Sequence, residues 1–221
     1  MGERESSYEQ LASRLAQAAW ENPALSPRQK HLVLLAEAAA KASRDPEGIA
    51  RHVAALMDLG CSATEVLEVG ELASVLPIHA CTEGMPALAT AAHRSAAAIA
   101  AGFDVAKALV KQDFEVKRGY WNDFWTVLLG YDRPFFEAYA DLSSHAWQVG
   151  VLEPYERELV YLGFDASPQH LYRPGIGIHA ANAMRLGATE AQIANVFTLL
   201  GVADTAAYDL VADELERCRQ D

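Results

Sequence analysis

The chain has 221 residues, of which 51% are hydrophobic and 22% charged, and its formal net charge is −12. This length and apolar share suffice for one or two compact domains. The strong negative charge argues against nucleic acid or an anionic membrane surface as a partner. No apolar run approaches the roughly 20 residues of a membrane-spanning helix. We therefore expect no nucleic-acid and no membrane partner, whereas a single arginine or a helix N-terminus could still hold an anionic small molecule as substrate.

Helical periodicity runs through the whole sequence, and we find no strand alternation or hairpin turn. Capping residues and early prolines mark the helix starts, while glycines mark several ends. The pattern predicts an all-α protein. Six predicted helices cover residues 8–20, 27–43, 46–60, 62–77, 85–101 and 103–129. Two more are predicted to start at residues 133 and 154. The last three cover residues 175–186, residues 189–202 and a segment that ends near residue 218.

The cysteines indicate a reducing compartment. Cys61, Cys81 and Cys218 are odd in number and form no CxxC pair, and the first residues, MGERESSYEQ, are charged, unlike a signal peptide. Such a pattern is typical of a reduced protein. We therefore predict a cytoplasmic location.

An internal repeat relates positions 127 apart, the separation of His52 and His179. The register needs no gap, and we interpret it as two tandem helical repeats. The predicted division is an N-terminal helix plus the first repeat in residues 1–101, then linking helices plus the second repeat in residues 102–221. Matching pairs include Leu25 and Leu152, Pro27 and Pro154, Met57 and Met184, Gly60 and Gly187, and Val75 and Val202.

The second repeat carries the motifs REL (157–159), DAS (165–167), HLY (170–172), PG (174–175), His179 and GAT (187–189), and the first carries ELASVLPIHACTEGMPAL (71–88). These resemble the carboxymuconolactone decarboxylase family, which shares its fold with alkyl hydroperoxidase D-like proteins. The resemblance implies two repeats of that helical fold and a homo-oligomer, here a dimer or trimer because each chain holds two units.

The hydroperoxidase branch of that family has a CxxCxxxH motif. Its cysteines lie seven and four positions before the histidine, where this chain has Tyr172 and Gly175. A thiol peroxidase needs one thiol to attack the peroxide and another to resolve the product. The sequence therefore argues against thiol peroxidase activity.

The decarboxylase branch converts a carboxylated muconolactone to an enol-lactone without metal or organic cofactor. The resemblance thus implies a cofactor-independent lyase that acts on a small carboxylated lactone or a related aromatic ring-cleavage product. Two alternatives stay open: an isomerase or hydrolase on the same scaffold, and a non-catalytic, oligomeric small-molecule-binding protein.

Three residues are the predicted catalytic group. The resemblance puts His179 at the site, where imidazole acts as general acid or base near neutral pH. His170 and Tyr172 lie just before this helix and are predicted hydrogen-bond donors. A core histidine and a solvated loop are the structural alternatives.

Three further residues are predicted to bind substrate. His79 and Glu83 lie one helical turn apart in the block HACTE, at the mouth of the pocket, unless this block is only a turn between helices after Pro77. Arg173 is a candidate carboxylate clamp or a surface arginine. The sequence has no second Cys/His cluster that would accompany the HACTE block, so no metal site is predicted.

Overall fold

The computed structural model describes residues 7–40, 44–202 and 205–220. Within these ranges the chain is helical and contains no strand, which confirms the predicted all-α fold. None of the helices so described is long and apolar enough to cross a membrane. The helices are α1 (Tyr8–Glu21), α2 (Pro27–Ala40), α3 (Pro46–Asp58), α4 (Ala63–Ser74), a 3-10 turn (Leu76–Ile78), α5 (His79–Ala91), α6 (Ala96–Ala100), α7 (Val105–Arg118), α8 (Asp123–Tyr131), α9 (Arg133–Val149), α10 (Pro154–Asp165), α11 (Arg173–Arg185), α12 (Glu190–Leu200) and α13 (Ala206–Gln220).

The single helix predicted over residues 103–129 is wrong, because the chain forms α7 and α8 instead. α7 ends where Gly119 takes a left-handed conformation, with φ at 76°. Glycine adopts this conformation without the steric cost that other residues meet. The break lets Trp121 and Trp125 pack around Phe114, at ring-centroid distances of 5.6 and 5.7 Å. It also leaves Arg118 at the buried end of α7.

The predicted helix over residues 85–101 is also displaced. α5 already begins at His79 and ends at Ala91, and the short α6 follows after its cap Ser95. His93, at φ 54°, lies in the break between them. The HACTE block is therefore helical and not a turn. The predicted end of the second helix near Ser43 lies outside the described residues.

The repeat is visible in the helix bounds. The offset of 127 carries α3 onto α11, and it carries the first residues of α2, α4 and α5 onto those of α10, α12 and α13. The two halves pack through α2 against α10, and each of these also contacts the other half, α2 through α12 and α10 through α4. The contacts that α2 makes with the second half thus mirror those that α10 makes with the first. Helices α6 to α8 link the halves.

A buried ion pair joins the halves. Glu68 on α4 accepts a hydrogen bond of 2.5 Å from Arg157 Nε on α10. Its other oxygen accepts the backbone N–H groups of Val151 and Leu152, at 2.7 and 2.9 Å. One carboxylate therefore fixes the segment that leads into α10, the helix that supplies most acidic groups of the site described below.

Replacing Glu68 by alanine should lower the free energy of unfolding by about 3–5 kcal/mol, because it leaves a buried arginine and two N–H groups without an acceptor. Glu71 is the matched control on the same helix, since it is exposed and pairs with His145 at the surface. Glu71→Ala should change stability by less than about 0.5 kcal/mol. Denaturant unfolding of both variants measures this, and equal losses would contradict it.

Candidate active site

Two adjoining depressions lie where the halves meet. The inner cavity is lined by α5, α7 to α11 and the turn before α5, and about 40 Å³ of it is open to the centres of water-sized molecules. That is room for a few waters. The outer groove is open to solvent and lined by Glu83, His170, Leu171 and Arg173, among others. His79 and Tyr172 line both and so form the wall between them.

His179 lies buried on α11, in contact with two side chains of α10. Its Nδ1 is 2.6 Å from Glu158 Oε2, and its ring stacks on Tyr161 with centroids 4.3 Å apart. An Nδ1–H that donates to the carboxylate fixes the tautomer and leaves Nε2 for proton exchange. This Nε2 faces Asp165 Oδ2 at 3.7 Å, beyond hydrogen-bonding distance. Glu158 and His179 thus form an oriented acid–base pair.

His79 brings the first half of the chain into the same site. Its Nδ1 lies 2.7 Å from His170 Nε2, and its ring stacks on Tyr172 at 3.7 Å between centroids. Tyr172 in turn donates its hydroxyl to Thr82 Oγ1 at 2.7 Å. Burial lowers the pKa of His79 to about 3, helped by His170 and His179. His79 is therefore a neutral imidazole at pH 7.

Asp165 lies at the centre of these histidines and was not among the predicted site residues. Its side chain is fully buried, and neither oxygen has a hydrogen-bond partner. Oδ1 lies 3.8 Å from His79 Nε2, and Oδ2 faces His179. Burial raises the pKa of Asp165 to about 7; His179 opposes the rise and Glu158 adds to it. A negative charge at a helix C-terminus is unfavourable. The position of Asp165 at the end of α10 is therefore the sequence signal that could have marked it as a functional residue.

Gly175 makes the room that Asp165 occupies. A Cβ added at Gly175 would lie 1.8 Å from Asp165 Oδ2. This is the position where the hydroperoxidase branch has its second cysteine. Here a carboxylate fills the space, and no cysteine is among the described residues that line the inner cavity.

Replacing Gly175 by alanine should therefore destabilise the fold by about 1–3 kcal/mol, because the new methyl group collides with a buried carboxylate. Gly177, on the same helix, has open space around its Cα. Gly177→Ala should be neutral or stabilising by up to about 1 kcal/mol, since alanine favours helix. Denaturant unfolding of the two variants gives the difference, and a Gly175→Ala protein as stable as the parent would refute the close approach.

Arg118 supplies the positive charge of the inner cavity. It is 5% exposed and donates to the Ser143 carbonyl at 3.0 Å and the Tyr120 hydroxyl at 3.2 Å. Its Nε has no partner, and its hydrogen bonds go to a carbonyl and to tyrosine hydroxyls, with no carboxylate of the described residues as an ion-pair partner. A guanidinium stays protonated in proteins. The cavity is therefore lined by a permanent cation that forms no ion pair with these carboxylates, although the more distant Glu158 helps to raise the pKa of Arg118. The surrounding rings are Phe114, Tyr120, Trp147 and Tyr161, with centroids 5.2–5.8 Å from Arg118 Cζ.

The six residues predicted from sequence separate into two groups. His79, His170, Tyr172 and His179 come together around Asp165. Glu83 and Arg173 are exposed and line the outer groove only. Sequence reasoning missed Arg118, Glu158 and Asp165 as site residues.

The first repeat does not reproduce the site. His52, the counterpart of His179, contacts His31 with 3.0 Å between their Nδ1 atoms. In the 127-residue register, His31 stands where the second repeat has Glu158, and Ala38 stands where it has Asp165. In the described residues, the Glu158 and Asp165 carboxylates around a histidine are therefore a feature of the second repeat.

Comparisons with known proteins agree with this architecture. Residues 133–211 match the model of the carboxymuconolactone decarboxylase family. A crystal structure from Burkholderia xenovorans LB400, named as a gamma-carboxymuconolactone decarboxylase subunit, superposes with a TM-score of 0.84 at 31% identity, covering 95% of this chain and 85% of that one. A search of curated proteins gave no match. At this identity and coverage, the chain belongs to the carboxymuconolactone decarboxylase family.

Proposed function

We propose that the chain is a decarboxylase-type lyase that acts on a small carboxylated lactone, or a related ring-cleavage product, in the inner cavity. The observation that carries the proposal is the buried Arg118, which forms no ion pair with a carboxylate of the described residues, in a cavity also lined by His179, the partner of Glu158. The negative charge that develops on the substrate during the reaction would supply this partner. Family membership, and the name of the Burkholderia protein, support the reaction type.

Decarboxylation needs a place for charge and a source of a proton. When the bond to the carboxylate carbon breaks, carbon dioxide leaves and the electron pair spreads onto the lactone oxygen as a dienolate. A proton then adds to a ring carbon. In our proposal the imidazolium form of His179 delivers this proton from Nε2 and becomes the neutral imidazole with its hydrogen on Nδ1, where Glu158 holds it in position.

Arg118 is assigned to the lactone oxygen and not to the departing carboxylate. Binding that is equally strong before and during the reaction does not raise kcat. An arginine on the departing carboxylate would stabilise the charge that must disappear. Facing the oxygen that gains charge, the same arginine stabilises the transition state, in surroundings where buried donors act strongly.

Substrate entry requires the cavity to widen. Its present size admits a few waters, while a lactone is larger. The wall of His79 and Tyr172 separates the cavity from the outer groove, so we expect it to move on binding. Glu83 and Arg173 would then meet the substrate at the entrance.

The test is an assay with gamma-carboxymuconolactone and related carboxylated lactones, following carbon dioxide release and identifying products by NMR. Release of carbon dioxide with formation of an enol-lactone is the expected result. Conversion without carbon dioxide would replace the proposal by an isomerase or hydrolase. Binding without conversion of any compound would replace it by a non-catalytic binding protein.

We also propose that the chain assembles with copies of itself into a dimer or trimer. The Burkholderia protein is named as a subunit, and the family resemblance implies an oligomer. Sedimentation equilibrium measures the mass in solution, and a monomer of 24.0 kDa at micromolar concentration would contradict the assembly.

A further inference from the structure

Three potential metal ligands converge at the wall between inner cavity and outer groove. One nitrogen each of His79 and His170 and one oxygen of Asp165 lie within 4.8 Å of one another. They come from the start of α5, the connection before α11 and the end of α10. We propose that these three side chains form a binding site for one divalent transition-metal ion.

Asp165 is the observation that points to a cation. A fully buried carboxylate with both oxygens unpartnered is costly. Its oxygen lies 3.8 Å from His79 Nε2, too far for a hydrogen bond. Two ligands bound to one metal at about 2.1 Å stand roughly 3.0–3.4 Å apart in octahedral or tetrahedral geometry. A small inward movement of the two side chains would therefore seat an ion.

The two histidines complete the donor set. Their facing nitrogens are 2.7 Å apart, so at least one of them must now carry a hydrogen between the rings. One imidazole gives one nitrogen to an ion, so in our proposal His79 binds through Nε2, which faces Asp165. The His170 ring turns away from His79 Nδ1 to bring one of its own nitrogens to the ion. The His79 ring is already held by its stacking on Tyr172, whose hydroxyl is fixed by Thr82. Such outer contacts orient metal-binding histidines.

The ligand types select the class of metal. Two imidazoles and one carboxylate suit Zn²⁺, Co²⁺, Ni²⁺ or Fe²⁺, whereas Mg²⁺ and Ca²⁺ prefer oxygen ligands alone. His79 and His170 also line the outer groove, so further coordination positions would be open to water or to an incoming anion. The sequence predicted no metal site because His79 and His170 lie 91 positions apart and meet only in the fold.

Titration of EDTA-treated full-length protein with Co²⁺ and Zn²⁺, by calorimetry and by Co²⁺ visible absorption, tests the site. We expect one ion per chain and a rise in melting temperature, because the ion binds only the folded protein. Asp165→Asn and His170→Ala should each weaken binding at least about tenfold. His170 is half-exposed, so its variant should fold even if Asp165→Asn does not.

Two control variants locate the ion. His145→Ala removes an exposed histidine paired with Glu71 and should leave the affinity unchanged. His52→Ala removes the other close histidine pair, His31 with His52. Loss of binding in His52→Ala alone would place the ion in the first repeat and overturn the proposal. Absence of binding up to millimolar metal, or binding unaffected by His170→Ala, would overturn it as well. The metal site does not depend on the proposed reaction, because calorimetry reads it without substrate.

Discussion

Replacing His179 by alanine should lower kcat on the lyase substrate about 10²- to 10⁴-fold, the usual contribution of a positioned general acid. KM should change much less, because the imidazole in our proposal acts on the proton and not on substrate affinity. Glu158→Gln should reproduce part of the loss, since an amide can still accept the Nδ1–H but cannot stabilise an imidazolium by charge. Steady-state kinetics with the substrate identified in the assay gives both constants.

His52→Ala is the matched control. His52 occupies the equivalent position on α3, is 8% exposed like His179, and also has a ring partner on the preceding helix. Its removal should cost similar stability and leave kcat unchanged. If both variants lost activity equally, the loss would reflect folding. If His179→Ala kept its full turnover, the assigned role would be wrong.

The repeat could be predicted because it rests on local signals. Proline at the first turn of a helix and a glycine or small residue after its end recur 127 positions apart, so the starts of α2 and α10 and the pairing of α3 with α11 follow from spacing. The break at Gly119 was missed because the aromatic periodicity continues across it. One left-handed glycine ends α7, while the apolar pattern reports only which side is buried.

The centre of the site depends on packing between distant segments. A positively charged residue at the C-terminal end of a helix is favoured by the helix dipole. Arg118 at the end of α7 therefore looks like an ordinary exposed arginine in the sequence, with no local sign that it is buried. Glu158 belongs to a motif that carried the family resemblance, yet its contact with His179 appears only when α10 lies against α11. Asp165 needs Gly175 on the next helix to make room for it.

The two repeats differ at the positions that build the site. The second repeat keeps Glu158 and Asp165, while the first has His31 and Ala38 at those positions. The first repeat instead supplies His79 and Thr82 from α5 to the site of the second. The two halves have thus diverged into complementary parts of a single site.

Replacing Arg118 by glutamine should lower kcat about 10²- to 10³-fold, the usual cost of losing one buried donor to developing charge. Stability should change little or even rise, because a buried guanidinium without a carboxylate partner loses solvation that no ion pair repays. Arg118→Lys keeps the charge but not the planar fork, so its activity should be intermediate. Steady-state kinetics and thermal unfolding of the same preparations separate the two effects.

Arg173→Gln is the control that decides between the two candidate arginines. Arg173 is exposed in the outer groove, where water screens its charge, so its loss should raise KM slightly and leave kcat unchanged. A larger loss in Arg173→Gln than in Arg118→Gln would move the anion site to the outer groove. An Arg118→Gln protein that unfolds easily but retains its kcat would make Arg118 structural. Loss of kcat in a stable Arg118→Gln protein would instead show that Arg118 acts on the substrate. The negative charge that develops on the substrate would then be the partner that the fold does not provide.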